Sequence, residues 1–182
     1  HDLAEQEPER LAHLQQLFLI QAARFNVLPL DIRTAERFNP DLAGRPVLAL
    51  SDTQKFYPGM KRLSENTTIN IKNKSWTVTA RVSVPDSGAD GVLIAQGGAY
   101  GGWSFYTKDG RLAFAYNLLG IDVDIVRSDS LVPAGDQEIR AHFAYDGGGL
   151  GKGGTVTLYA GEEKIGEGRV DKTIPFQFTF DE

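Results

Sequence analysis

From about Thr67 to Phe180 the chain runs in short alternating segments, and this limits its fold more than any other feature. Trp76, Val78, Ala80, Val82 and Val84 interleave with Thr77, Thr79, Arg81 and Ser83. That period of two lays one face of a strand on a core and turns the other to water. Comparable runs at 91–96, 102–107, 111–117, 121–127, 137–145, 154–160, 163–170 and 175–180 bring the expected strands to nine. Turn signals separate them, as at Lys108-Asp109-Gly110, where Gly supplies the positive φ of a hairpin. No helical pattern falls between the strands, so the sheets are expected to be antiparallel, and two sheets face to face bury such strands best. Residues 67–182 are therefore expected to form a mainly β domain, an antiparallel two-sheet β-sandwich.

Residues 1–66 read differently. A helix is expected at about 7–26, with Pro8 in its first turn and Glu5, Glu7 and Glu9 near the positive end of its dipole. Leu11, Leu14, Phe18, Ala22 and Phe25 share one face, while Leu17, Leu19 and Ile20 widen the apolar stripe beyond it. A helix that is apolar on more than one side needs more than one neighbour. From Val27 to about Asn66 there is no clear period, and Pro29, Pro40, Pro46 and Pro58 interrupt the chain. So long an irregular strap, carrying Phe38, Leu48, Leu50, Phe56 and Leu63, is expected to lie over an adjoining surface, part of it in another domain.

Charge and composition narrow the function. A net charge of −5 disfavours nucleic acid and anionic membranes, so neither is expected as a partner. With no cysteine there is no disulfide, thiolate metal site or cysteine nucleophile, and the compartment, cytoplasm or periplasm, stays open. No apolar run approaches the roughly 20 residues that span a bilayer. His1-Asp2-Leu3-Ala4-Glu5 is unlike a signal peptide and lacks an initiator Met, so the chain is expected to start within a larger gene product or after processing.

The motifs that suggest chemistry fail on inspection. Asp146 to Gly154 is rich in Gly, and Gly149, Gly151 and Gly154 satisfy G-x-G-x-x-G. The run joins two strands, however, so no helix N-terminus receives a phosphate, and a mobile hairpin loop is expected instead. His1, His13 and His142 have no metal-ligand spacing, and Asp122 with Asp124 is expected to be a solvated strand face more than a Ca²⁺ pair. No G-x-S-x-G occurs. Asn66-Thr67-Thr68 and Asn73-Lys74-Ser75 match the glycosylation pattern, a weak signal read as coincidence. Trp76, Trp103, Phe105, Phe114 and Phe143 fall on core parities, which leaves Tyr100, in a turn, as the aromatic best placed to be a ligand platform. No catalytic, cofactor-binding or metal-ligating residue is expected in this segment.

Several stretches, in order and over nearly the whole length, resemble the region after the catalytic core of bacterial arylsulfatases. These are His1 to Ala4, Pro8 to Leu11, Phe25 to Asp31, Tyr57-Pro58-Gly59-Met60, Asn70 to Ser75, Gln96-Gly97-Gly98 with Gly101-Gly102-Trp103-Ser104, Asp146 to Tyr159, and Pro175-Phe176. Gly91 to Tyr116 also looks like the jelly rolls of laminin-G and concanavalin-A type. The resemblance implies a parent enzyme, of the formylglycine-dependent sulfatases in the alkaline-phosphatase-like superfamily, that hydrolyses sulfate esters with formylglycine and Ca²⁺. The Cys/Ser-x-Pro-x-Arg motif that yields formylglycine is absent here, so no catalytic residue carries over.

Three roles follow as expectations. The first is a non-catalytic C-terminal accessory domain that packs on its own catalytic domain, with Leu19 and Ile20 as contacts. The alternative is a carbohydrate-binding module for a sulfated glycan, with Lys108, Arg111 and Arg127 as a local basic patch. The third is a structural β-domain, distinguished by self-association.

Overall fold

A computed structural model describes residues 2–34, 37, 39–44 and 48–178. The chain divides into two units, His1–Thr34 and Ala35–Glu182.

The first unit is built on helix α1, Pro8–Arg24, within the span expected from the spacing. Pro8 opens it, where a missing N–H costs nothing, and Glu7 ion-pairs with Arg10 at 3.0 Å. Asn26, at φ 53, turns the chain out of the helix. Of the helix residues only Ala22 is buried, so the expected buried face is in fact bare: Leu11, Leu14, Phe18 and Phe25 all face solvent.

The second unit is a β-sandwich of two antiparallel four-stranded sheets. Its strands are β1 Trp76–Val84, β2 Gly91–Gly98, β3 Gly101–Lys108, β4 Arg111–Leu118, β5 Asp122–Leu131, β6 Gly135–Tyr145, β7 Lys152–Ala160 and β8 Glu163–Lys172. One sheet has the order β1-β6-β7-β8, the other β2-β3-β4-β5. Apart from β1, both are meanders, which short turns permit. Lys108 pairs with Arg111 around Asp109 (φ 54) and Gly110 (φ 68), two successive left-handed residues whose twist matches that of the flanking strands.

The alternation in the sequence becomes register. Trp76 lies opposite Phe143 and Ala80 opposite Ile139 on the inner face, while Thr77 meets His142 and Arg81 meets Glu138 on the outer face. Phe105, Leu112, Phe114, Ile139, Val156, Leu158 and Val170 fill the space between the sheets. Trp76 and Trp103 pack with ring centroids 5.0 Å apart, and Trp103 stacks on Phe114 at 5.8 Å. The Trp103 indole N–H donates to Gln96 Oε1 at 3.2 Å, so its polar end is satisfied at the core's margin.

Residues 175–178, part of an expected ninth strand, are not a strand; 179 and 180 lie outside the described residues. The reason is chemical. Pro175 has no N–H for a ladder, and its carbonyl is taken by the side-chain amides of Asn39 and Asn73, both at 2.9 Å. The same contact ties the strap to the chain's later residues within the second unit. Asn39 starts the short helix α2, Pro40–Ala43, accepting the N–H groups of Asp41 and Leu42, and Asp41 accepts from Asn70 at 2.9 Å. Much of the strap thus belongs to the sandwich.

Candidate functional site

The candidates from the sequence take up separate places in the fold. Asp122 accepts the N–H of Val123, and Asp124 accepts that of Asp171 at 3.0 Å. No group of three or more His, Asp or Glu that could hold a metal ion converges among the described residues. His142 bonds Thr77 Oγ1 at 2.9 Å on the outer face of the sheet, and His13 is exposed on α1. The Gly-rich run is a β6–β7 hairpin loop tied at both ends. The Tyr145 hydroxyl donates to the Gly149 carbonyl at 2.6 Å and accepts the Lys152 N–H at 2.9 Å, while Arg169 pairs with Asp146 at 2.7 Å. That pairing holds the Asp146 carboxyl below its ordinary pKa.

Tyr100 is 64% exposed at the β2–β3 turn. The neighbouring β4–β5 turn is bound to that turn by Asn117, whose amide donates to the carbonyls of Gly98 and Ala99 and accepts the Gly120 N–H. The tip therefore shows Tyr100, Leu119 and Ile121 on a fixed frame, with the Asn117 amide engaged in holding it. In the basic patch, Arg111 is likewise engaged, donating to the carbonyls of Ser128 and Asp129.

Spacing alone did not reveal the most organised polar group. Lys72 and Glu65 form an ion pair with side chains 2% and 10% exposed. Lys72 Nζ lies 4.8 Å from the centroid of the Phe178 ring, and Glu65 Oε2 accepts the Phe178 N–H at 3.0 Å. Asn73, at φ 61, accepts the Gly151 N–H at 2.9 Å. The cavity beneath, between Lys72, Trp76, Tyr116, Phe143 and Phe178, is about 10 Å³, room for a single water at most. This is a closure of the sandwich's end, not a ligand pocket.

Compared with protein-family models, curated proteins and solved structures, the chain matches none. Its functional reading therefore rests on its own residues and on the resemblance of its motifs.

Among the described residues, Tyr116, beside the closure, is the one strongly perturbed acid. Burial holds its hydroxyl far above the ordinary tyrosine range, only partly opposed by the Ile174 N–H it accepts at 2.8 Å, with the negative charge of Glu65 adding to the rise. Because the folded value exceeds the unfolded value of 10.0, its contribution to stability is complete below pH 10 and is lost as pH climbs beyond it. Unfolding free energy is expected to decline there by about 1.4 kcal/mol per pH unit. Urea melts of Tyr116→Phe between pH 9 and 11 should show a flatter decline; an unaltered slope would assign it to another group.

The remaining surface is α1. Leu19 and Ile20 are 54% and 63% exposed, and Leu14, Leu17 and Phe18 are bare beside them. A 17-residue helix of this kind is marginal by itself in water, since helix stability in proteins comes mostly from packing an apolar face. No helix of the described residues is long and apolar enough to cross a membrane.

Proposed function

We propose that this chain is the non-catalytic C-terminal accessory domain of an arylsulfatase-type enzyme, and that α1 packs on the catalytic domain of that enzyme. The observation that carries the docking role is the apolar helix with a single buried residue. Burying a bare Leu or Ile side chain is worth about 1.5–3 kcal/mol, so covering several of them drives association strongly. The nature of the neighbour comes from the ordered motif resemblance, from His1-Asp2-Leu3-Ala4 to Pro175-Phe176. In this reading the sandwich is a scaffold, and formylglycine and Ca²⁺ belong to the other domain, which performs sulfate-ester hydrolysis.

Two measurements test it. The coding sequence upstream should contain an in-frame Cys/Ser-x-Pro-x-Arg; an upstream sequence without it overturns the sulfatase assignment. With the upstream domain made separately, calorimetry should detect a complex that Leu19→Glu with Ile20→Glu weakens at least tenfold, with the thermal midpoint of the sandwich unchanged. Equal affinity of the double variant would remove α1 from the interface. If light scattering instead shows the chain alone forming dimers that the same changes abolish, the helix serves self-association.

A further inference from the structure

The two outer faces of the sandwich differ in chemistry. On β2–β5, Ala95, Ser104 and Ala115 form a smooth floor beside exposed Val123 and Ile125. On β1-β6-β7-β8 the outer face is mostly polar: Thr77, Thr79 and Arg81 pair with His142, Arg140 and Glu138, and beyond them lie Thr157 and Tyr159. Three of its cations are neutralised: Arg81 by Glu138 at 3.3 Å, Lys164 by Glu167 at 2.9 Å and Arg169 by Asp146 at 2.7 Å. Arg140 has no carboxylate partner among the described residues. Its guanidinium instead lies 4.5 Å from the centroid of the Tyr159 ring.

We infer that Arg140 and Tyr159 form the anion subsite of a saccharide-binding face, and that its ligand is a hydroxylated ring bearing one sulfate or carboxylate group. A guanidinium stacked on an aromatic ring keeps its N–H fork free and oriented, and that fork matches a planar pair of anionic oxygens. Thr79, opposite Arg140 in the ladder, and His142, two residues along the same face, supply further hydrogen-bonding groups. The next pairs along the face, Arg81 with Glu138 and Ser83 with Asp136, border a shallow concavity of about 470 Å³ that the inner-facing pair Val82 and Gln137 also lines. The outer-face side chains suit sugar hydroxyls. The charge balance sets the class: a chain of net charge −5, with Asp136 and Glu138 nearby, repels polyanions and leaves room for one anionic group beside one unneutralised arginine. The site does not depend on the docking role of α1 and holds or fails independently of it.

NMR titration of the full chain with a monosulfated disaccharide, a disaccharide carrying one uronic acid and a neutral disaccharide tests the assignment. At least one charged sugar should shift the amides of Thr79, Arg140 and Tyr159 and bind at least tenfold more tightly than the neutral one, and which of the two does so identifies the anion. Arg140→Met should weaken that binding tenfold or more, while Arg140→Lys, which keeps charge without the fork, should fall between. Equal binding of neutral and charged sugars, undiminished binding by Arg140→Met, no response to any of the three, or a loss seen only on changing Lys108, Arg111 or Arg127 would each overturn the site. Circular dichroism of each variant separates lost binding from lost fold.

Discussion

Replacing Lys72 with Met is expected to destabilise the sandwich by about 3–5 kcal/mol, because it removes the ammonium that pairs with the buried Glu65 carboxylate. Breaking one half of a buried ion pair costs far more than the pair itself contributes, since the surviving charge keeps its desolvation penalty and loses the attraction that offset it. The double change Lys72→Met with Glu65→Gln should recover most of the loss. Gln removes the negative charge and still offers an oxygen to the Phe178 N–H, now bonded to Glu65 at 3.0 Å. Urea denaturation of the two single variants and the double variant gives the coupling directly. Additive losses would mean that Lys72 acts through its contact with the Phe178 ring and not through Glu65.

Gly166→Ala should cost about 1–3 kcal/mol, a large effect for one added methyl group. Gly166 lies on β8 where that strand approaches β5, the edge of the other sheet. A Cβ there would sit 2.7 Å from the Arg127 carbonyl oxygen and 2.8 Å from the Ser128 Cα. Both are backbone atoms, so relief requires the edges of the two sheets to move apart. At Gly168 the nearest atom is Cγ2 of the Val126 side chain, also at 2.8 Å, and a side chain can yield where a strand cannot. Thermal midpoints should therefore fall further for Gly166→Ala than for Gly168→Ala; the reverse order would show that the β5–β8 approach is not what the glycine serves.

These two residues mark where local pattern stops being informative. Strand positions were legible because alternation is a local consequence of the pleat: Trp76 to Val84 is strand, as its spacing implies, and Asp109-Gly110 is the hairpin turn its dipeptide implies. Residues 175–178 of the expected strand at 175–180 are not a strand because side chains from distant residues, Asn39 and Asn73, hold the Pro175 carbonyl. A burial of Lys72 within Ile71-Lys72-Asn73-Lys74 was equally hidden, since nothing next to it in sequence distinguishes it from the exposed Lys74. The unneutralised Arg140 emerges only once the register shows which cations on its face have partners.

By itself the sequence determined the fold class, the hairpins and the apolar excess of α1, all of which follow from residues within a few positions of one another. Only the tertiary structure decided the pairing of β1 with β6, the glycine contact between β5 and β8, and the Glu65–Lys72 closure under Phe178. Those depend on groups far apart in the chain, whose meeting is set by how two sheets share one core and which polar atoms lose water when they do.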